Sequence, residues 1–199
     1  MRKFLSIFVL IISCLAINAA GKPDATQILD KTAAKINIGK GVKMNFSVSS
    51  AKFSQSGTLT VKGQKFHAST AGAEIWYDGK TQWTYNKASD EVNIANPSAS
   101  VQQQMNPYHF LNLYKQKGYT KTATADKKGY DVHLTGKGNN ISEMYISVDK
   151  NYNLRTVKLK QGNNWTTITV SNIRSTSAPD SAFRFNSKEH PKAEVIDLR

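Results

Sequence analysis

Four histidines and one cysteine are the side chains of this 199-residue chain that could most readily bind a metal or act as nucleophiles. They are His67, His109, His133, His190 and Cys14. The histidines show none of the short spacings that metal ligands use. The chain also lacks a glycine-rich phosphate loop, a Gly-x-Ser-x-Gly elbow and a His-Glu-x-x-His pair. We therefore expect a protein that is not an enzyme, with no catalytic residues, no metal and no cofactor.

Three carboxylates could meet across neighbouring strands and act as an acid and base pair. They are Asp131, Glu143 and Asp149. Acidic residues scattered over a polar surface meet in this way by chance, so they do not change the expectation.

The first twenty residues have the order of a secretory signal peptide. Arg2 and Lys3 precede an uninterrupted apolar run, residues 4–12, and a region of small residues ends near Ala20. The run is too short to be a permanent transmembrane helix. We expect a signal peptide at residues 1–20 and one exported domain at residues 21–199.

Cys14 lies inside this leader, so ordinary cleavage would leave a mature chain without cysteine and without disulfides. The alternative is that Ile11, Ile12, Ser13 and Cys14 form a loose lipobox. Acylation of Cys14 would then anchor the protein to a membrane.

The chain is strongly basic, with a formal net charge of +13. Removal of the leader takes away Arg2 and Lys3 and no acidic residue, which leaves +11. Export and the scattered lysines argue against nucleic acid as a partner. Anionic lipid head groups, an acidic protein or a merely solvated basic surface remain open.

The mature chain begins with a helix and continues in short strands. Apolar residues at helical spacing from Asp24 to Ile36 predict a short amphipathic helix. A period of two then predicts strands beginning at residue 42 and within 52–61, 64–69, 74–77, 81–86 and 91–94. Further strands are predicted at 119–125, 130–135, 141–148, 153–160 and 165–173.

A break at Asn96 and Pro97 interrupts the strands, and a helix is predicted from Pro107 to Tyr114. Phe183 and Phe185 predict a short closing strand, and we expect the charged tail from Asn186 to be loose. The sum is a mainly β fold of about eleven antiparallel strands, with helices packed against one side of a curved sheet.

The stretch from Glu74 to Ile94 predicts a hairpin around an Asp78-Gly79 turn and contains two tryptophans and two tyrosines. Such aromatic surface is buried in a core or offered to a ligand. The large side chains on the predicted inner faces are Met44, Phe46, Phe53, Leu59, Val61, Phe66, Trp76, Trp83, Tyr85, Val92, Ile94 and Ile146. Periodicity alone does not decide whether they form a filled core or line an apolar cavity.

The sequence from Trp76 to Asn86, followed by residues 90–94, resembles the DGK-x-x-W-x-Y segment of the LolA-like outer-membrane lipoprotein carrier family. The Gly-x-Leu-x-Val-Lys strand at residues 57–62 and the order of elements also fit. The resemblance implies an unclosed antiparallel β-barrel with an N-terminal helix and a helical lid inserted mid-chain. It also implies a monomeric periplasmic carrier of lipoprotein acyl chains. Its partners would be an inner-membrane lipoprotein-releasing transporter and an outer-membrane acceptor.

Under this resemblance two groups of residues would contact the cargo. We expect the cavity to be lined by Phe46, Phe53, Leu59, Val61, Phe66, Trp83, Tyr85, Ile94 and Ile146. We expect the lid to carry Tyr108, Phe110, Leu111 and Tyr114.

One position departs from the family. Members carry Lys-Arg-Pro after the Gly-x-Leu-x-Val strand, and this arginine holds the lid shut, whereas this chain has Gly63 there. Lys62 or Lys65 could replace the arginine only in part, because an ammonium lacks the planar fork of a guanidinium.

Two other functions fit the same fold. One is a membrane-anchored, LolB-like lipoprotein acceptor acylated on Cys14. The other is an envelope protein that binds lipid or another protein without carrying lipoproteins.

Overall fold

A computed structural model of the chain describes residues 22–36, 39–98, 113–137 and 140–199. These ranges contain helix α1 (Ala25–Lys35), twelve strands and a 3-10 helix (Asp180–Phe183). The first six strands are β1 (Val42–Ser50), β2 (Ser54–Lys62), β3 (Lys65–Thr70), β4 (Ala73–Tyr77), β5 (Gln82–Asn86) and β6 (Glu91–Ala95). The other six are β7 (Tyr119–Ala125), β8 (Gly129–Gly136), β9 (Glu143–Asp149), β10 (Leu154–Gln161), β11 (Asn164–Ser175) and β12 (Glu194–Asp197).

All twelve strands form one sheet, in the order β12-β6-β5-β4-β3-β2-β1-β11-β10-β9-β8-β7. Every pair is antiparallel except β12 with β6, and the end strands β12 and β7 do not pair with each other. The predictions of a mainly β fold, an unclosed antiparallel sheet and an N-terminal helix are confirmed. The predicted lid residues Tyr108, Phe110 and Leu111 lie outside the described residues.

Helix α1 begins at an Asp24 cap. The Asp24 carboxylate accepts hydrogen bonds from the backbone N–H groups of Thr26 at 2.8 Å and Gln27 at 3.3 Å. The helix packs against β7 and β8 and buries Ile28 and Leu29. It therefore covers one side of the sheet, which we call the inner face.

Cross-strand register assigns side chains to the two faces. Val42, Val61, Phe66 and Tyr77 are successive partners from β1 to β4, so they point to the same face. All four belong to the buried cluster that includes α1. The same cluster takes in the inner-face residues of the other half of the sheet: Val132, Leu134, Met144, Ile146, Val148, Val157 and Leu159.

The end of the chain differs from its prediction. Phe183 ends the 3-10 helix instead of forming a closing strand, and its side chain is fully buried. The tail is not loose, because β12 pairs in parallel with β6, and Glu194 N–H donates to the Asp90 carbonyl at 2.9 Å. The free edge of β6 supplies these hydrogen bonds. A four-residue strand with charges at both ends gives little signal of its own.

We expect Gly57→Ala to destabilise the protein. A Cβ at residue 57 would lie 2.0 Å from the Ser69 carbonyl oxygen, so the β2–β3 pairing would have to shift. The expected loss of unfolding free energy is about 1–3 kcal/mol, measured by urea denaturation. Gly72→Ala is the matched control, because a Cβ there has no neighbour within 4 Å. Equal stability of the two variants would contradict the described pairing.

We also expect Phe183→Ala to loosen the C-terminal segment. Removal of a fully buried phenylalanine side chain costs about 3–5 kcal/mol. Phe53→Ala makes the same chemical change at a ring that is 52% exposed, and should cost less than about 0.5 kcal/mol. Urea unfolding measures the loss of stability, and the rate of protease cleavage after residue 178 measures the loosening of the C-terminal segment. Similar losses in the two variants would show that residues 180–183 are not packed as described.

Candidate functional site

Part of the inner face is apolar and only partly buried. Among the described residues, ten partly buried hydrophobic side chains pack against the core. We give the name inner patch to five of them that lie on β1, β3, β4 and β11: Phe46, Ala68, Ile75, Ile168 and Val170. Phe46 is paired with Val170, and Ala68 with Ile75, so the patch extends over β1, β11, β3 and β4. Gly57, the partner of Phe46 on β2, adds no side chain beside it. The inner patch therefore offers apolar area to a ligand without polar groups of its own.

Five of the nine predicted cavity residues lie on this inner face: Phe46, Leu59, Val61, Phe66 and Ile146. Phe46 belongs to the inner patch. The other four are buried in the core, with Val61 1% and Ile146 0% exposed. Their contact with a ligand remains a prediction.

The other four predicted cavity residues are not on the inner face. Trp83 pairs with Trp76 and Ile94, and Tyr85 pairs with Glu74 and Val92, which places all of them on the outer face. The inner face of this hairpin is formed instead by Ile75 and Tyr77. Strand β4 reads Ala-Glu-Ile-Trp-Tyr, so both of its faces contain large apolar residues and the pattern does not distinguish them. Phe53 lies in the turn before β2 and is exposed.

Residues 178–199, which we call the C-terminal strap, cover the aromatic outer face. The Phe185 ring lies 5.6 Å from the Trp76 ring, and the His190 ring lies 4.3 Å from the Tyr85 ring, between centroids. The 3-10 helix of the strap packs against β3 and β4. The C-terminal segment of the chain thus packs on the aromatic hairpin and stabilises it.

Ion pairs hold the C-terminal strap to two turns of the sheet. Asp180 accepts from Lys65 Nζ at 2.7 Å and from Lys62 Nζ at 3.3 Å, and these hydrogen bonds lower the pKa of its carboxyl group. Arg184 Nη2 lies 3.0 Å from Asp78 Oδ2 in the β4–β5 turn. The two lysines considered as a replacement for the family's arginine therefore bind the strap on the outer face.

Gly63, which stands where the family has that arginine, lies in the β2–β3 turn with a φ of +59°. This left-handed conformation favours glycine over other residues.

A cleft of about 520 Å³ lies between the C-terminal strap and the sheet. Its Glu74 carboxylate is already paired, because it lies 3.0 Å from His67 Nε2 and 3.1 Å from Lys87 Nζ. Burial raises the pKa of Glu74, but these hydrogen bonds outweigh it and leave the pKa lowered. Over the four described ranges, no group of three or more His, Cys, Asp or Glu side chains could hold a metal.

The described end of the predicted lid is attached to α1. Leu113 and Tyr114 are buried, and the Tyr114 hydroxyl donates a hydrogen bond to Asp30. Burial and this hydrogen bond raise the pKa of Tyr114, so the hydroxyl stays protonated at neutral pH. Lys115 Nζ lies 4.0 Å from the same carboxylate.

One buried polar atom beside the inner patch has no partner. The Tyr77 hydroxyl, next to Phe66 on the inner face, makes no hydrogen bond within the described part of the chain. Burial, and then the charge of Asp78, raise the pKa of Tyr77. It remains a neutral donor, and a buried donor without an acceptor costs about 1–3 kcal/mol.

Four residues of the inner patch were not among the residues singled out from the sequence: Ala68, Ile75, Ile168 and Val170. The Thr-Thr-Ile-Thr-Val alternation of β11 does indicate an apolar face. That β11 pairs with β1, far away in sequence, could not be read from the pattern.

None of the helices in the described ranges is long and apolar enough to cross a membrane. No curated protein matches the sequence.

Several solved structures share the fold at low sequence identity. An uncharacterized conserved protein from Thermus thermophilus is 12% identical with a TM-score of 0.58, over 87% of this chain and 98% of that one. MucB in the MucA/MucB complex of Pseudomonas aeruginosa is 13% identical with a TM-score of 0.50, over 83% of this chain and 62% of that one. At these identities the similarity concerns the fold alone.

The sequence model of the family described as outer membrane lipoprotein carrier protein LolA matches residues 14–163. The match covers more than half of the chain and includes α1, the aromatic hairpin and strands β1 to β10. The chain therefore belongs to the LolA-like family of outer-membrane lipoprotein carrier proteins.

Proposed function

We propose that this protein is a periplasmic carrier, exported by the leader at residues 1–20, that binds the acyl chains of lipoproteins on its inner face. The inner patch is the observation that supports the proposal most directly: five apolar side chains are packed against the core yet only partly buried. Membership of the LolA-like family agrees with it. The domain at residues 21–199 would shuttle its cargo from an inner-membrane donor to an outer-membrane acceptor.

The energetics favour reversible binding. Burial of apolar area is worth about 25 cal/mol per Å², so an acyl chain covering the inner patch gains affinity without any directed contact. Part of the apolar surface is already covered by α1 and by Leu113 and Tyr114, which reduces the area that cargo can gain. Moderate affinity allows transfer to an acceptor with a more open site.

The proposal includes a lid formed by the segment that ends at Tyr114. The hydrogen bond from Tyr114 to Asp30 attaches this end of the segment to α1. If the lid must move to admit cargo, its apolar side chains become exposed on loading, and that cost offsets part of the cargo's burial.

The Tyr77 hydroxyl suggests how an ester could be recognised. It is a neutral donor beside the inner patch without an acceptor in the described part of the chain. An acyl ester carbonyl reaching it would satisfy the donor and recover the cost of leaving it unpaired.

Val170→Glu tests the position of the site. A carboxylate in the inner patch should weaken saturable binding of a fluorescent fatty-acid probe to the delipidated protein at least about tenfold, because an unpaired charge is costly in an apolar site. Thr169→Glu is the matched control, since Thr169 is the adjacent residue on the exposed outer face of β11. An acylated peptide should compete with the probe. Absence of saturable binding, or equal binding by both variants, would refute the proposal.

Tyr77→Phe tests the ester contact. The variant should resist urea better than the parent protein, because a buried unpaired hydroxyl has been removed. It should bind an acyl ester roughly fivefold more weakly, the worth of one hydrogen bond, and a plain hydrocarbon probe equally well. Tyr85→Phe is the control on the outer face, where the hydroxyl already donates to Asp90 at 2.8 Å. If Tyr77→Phe binds the ester as tightly as the parent protein does, the Tyr77 hydroxyl does not contact the ester.

A further inference from the structure

Four adjacent strands in the middle of the sheet contain no acidic residue. Their order is β2-β1-β11-β10, and neither residues 31–73 nor residues 150–179 include an Asp or a Glu. The same strands and the turn before β2 contain the cations Lys43, Lys52, Lys62, Arg155, Lys158, Lys160 and Arg174. These strands therefore supply only positive charges, and the acidic residues of the other strands lie towards the two sides of the sheet. One of the cations, Lys62, is paired with Asp180 of the C-terminal strap.

Two turns of these strands lie side by side at one end of the sheet. The β1–β2 turn is formed by residues 51–53, and the β10–β11 turn by residues 162–163. Ser50 is the cross-strand partner of Thr166, so the two turns are only one strand spacing apart. Side chains from both turns can thus contact one flat surface together.

The β1–β2 turn presents an exposed phenylalanine next to a lysine. Phe53 is 52% exposed, although it is one of the larger apolar side chains of the protein. The turn is closed by the Ser50 N–H donating to the Phe53 carbonyl at 2.8 Å, and Lys52 N–H donates to Ser50 Oγ at 3.3 Å. Lys52 has no ionic partner among the described residues. The backbone therefore holds Phe53 at the surface beside a free cation.

Next to the β10–β11 turn, strand β11 presents a tryptophan that is flanked by two lysines of β10. Lys158 Nζ lies 4.6 Å and Lys160 Nζ 5.5 Å from the centroid of the Trp165 ring. The Tyr145 ring follows at 6.1 Å. The Glu143 carboxylate accepts a hydrogen bond from the Tyr145 hydroxyl at 2.8 Å and lies 3.9 Å from Lys160 Nζ.

We propose that this basic aromatic tip, formed by Lys52, Phe53, Lys158, Lys160 and Trp165, docks the protein on the surface of an anionic phospholipid bilayer. Lysines are attracted by the negative potential of such a surface, and tryptophan is favoured at the level of the head groups. Phe53 gains by burial among the acyl chains just beneath them. An acidic protein would be recognised by the lysines alone and would leave the exposure of Phe53 unexplained.

This docking goes beyond the carrier function and does not depend on it. The tip lies at the turns and on the outer face, whereas the inner patch lies on the inner face of the sheet. Docking would bring the carrier to a membrane surface whether or not cargo is bound.

Vesicle flotation with the purified protein tests the proposal. We expect binding to vesicles of phosphatidylglycerol and phosphatidylcholine, little binding to phosphatidylcholine alone, and weaker binding at high salt. Lys52→Glu should weaken the binding roughly tenfold, since it reverses a charge at the surface. Phe53→Ser should weaken it several-fold without any change in charge.

Lys127→Glu is the matched control for charge. Lys127 is exposed in the β7–β8 turn at the opposite end of the sheet, so its reversal should change binding less than about twofold. Equal losses in Lys127→Glu and Lys52→Glu, or equal binding to neutral vesicles, would overturn the proposal. So would a complete lack of binding.

Two further measurements separate the alternatives. If soluble polyglutamate binds the protein as tightly as anionic vesicles do, and Phe53→Ser leaves vesicle binding unchanged, the tip recognises acidic groups and the bilayer proposal fails. Lys52→Glu and Phe53→Ser should bind the fatty-acid probe as the parent protein does. Val170→Glu should bind anionic vesicles as the parent protein does. Failure of the carrier function and failure of the docking surface are thereby distinguished.

Discussion

The strict alternation of side chains along antiparallel strands is the constraint on which the rest of this structure depends. Each residue of the hairpin from Glu74 to Ile94 must point to one face or the other, and both faces receive large apolar side chains. The inner face belongs to the buried cluster that α1 completes over β7 and β8, and the outer face is covered by the C-terminal strap. Burial of apolar residues on both faces of the sheet therefore requires α1 from one end of the chain and the C-terminal strap from the other.

The C-terminal strap and α1 differ in how much of the apolar surface of the sheet they bury. The C-terminal strap is attached by ion pairs at Asp180 and Asp78, by edge-on and tilted ring contacts and by a parallel strand. Phe183 of the strap is fully buried. Helix α1 packs over β7 and β8 and leaves the inner patch, at the other half of the inner face, only partly buried. The apolar area available to a ligand therefore lies on the inner face, away from the tryptophans that dominate the sequence.

Much of the fold could be predicted from the sequence. Helix α1 follows from its Asp24 cap and helical spacing, and the strands beginning between residues 42 and 164 follow from their period of two and the turn residues between them. The faces of the aromatic strands were predicted less well. Phe46 lies on the inner face as expected, whereas Trp83, Tyr85 and Ile94 lie on the outer face. Strand β4 is apolar on both sides, so its pattern did not indicate which face of the hairpin is inside. Phe53 was assigned to a cavity, although the turn at residues 51–53 places it in solvent.

The sequence by itself determined helix α1 and the segments that form β1 to β11, and the aromatic hairpin indicated the family. These features depend on local spacing and on turn chemistry within a few residues. Only the tertiary structure decided which face of each strand is inside, that β1 lies beside β11, and that the last residues add a strand to β6. Those outcomes depend on hydrogen bonds and packing between segments that are far apart in the chain. The alternation of residues within one strand does not indicate which other strand pairs with it.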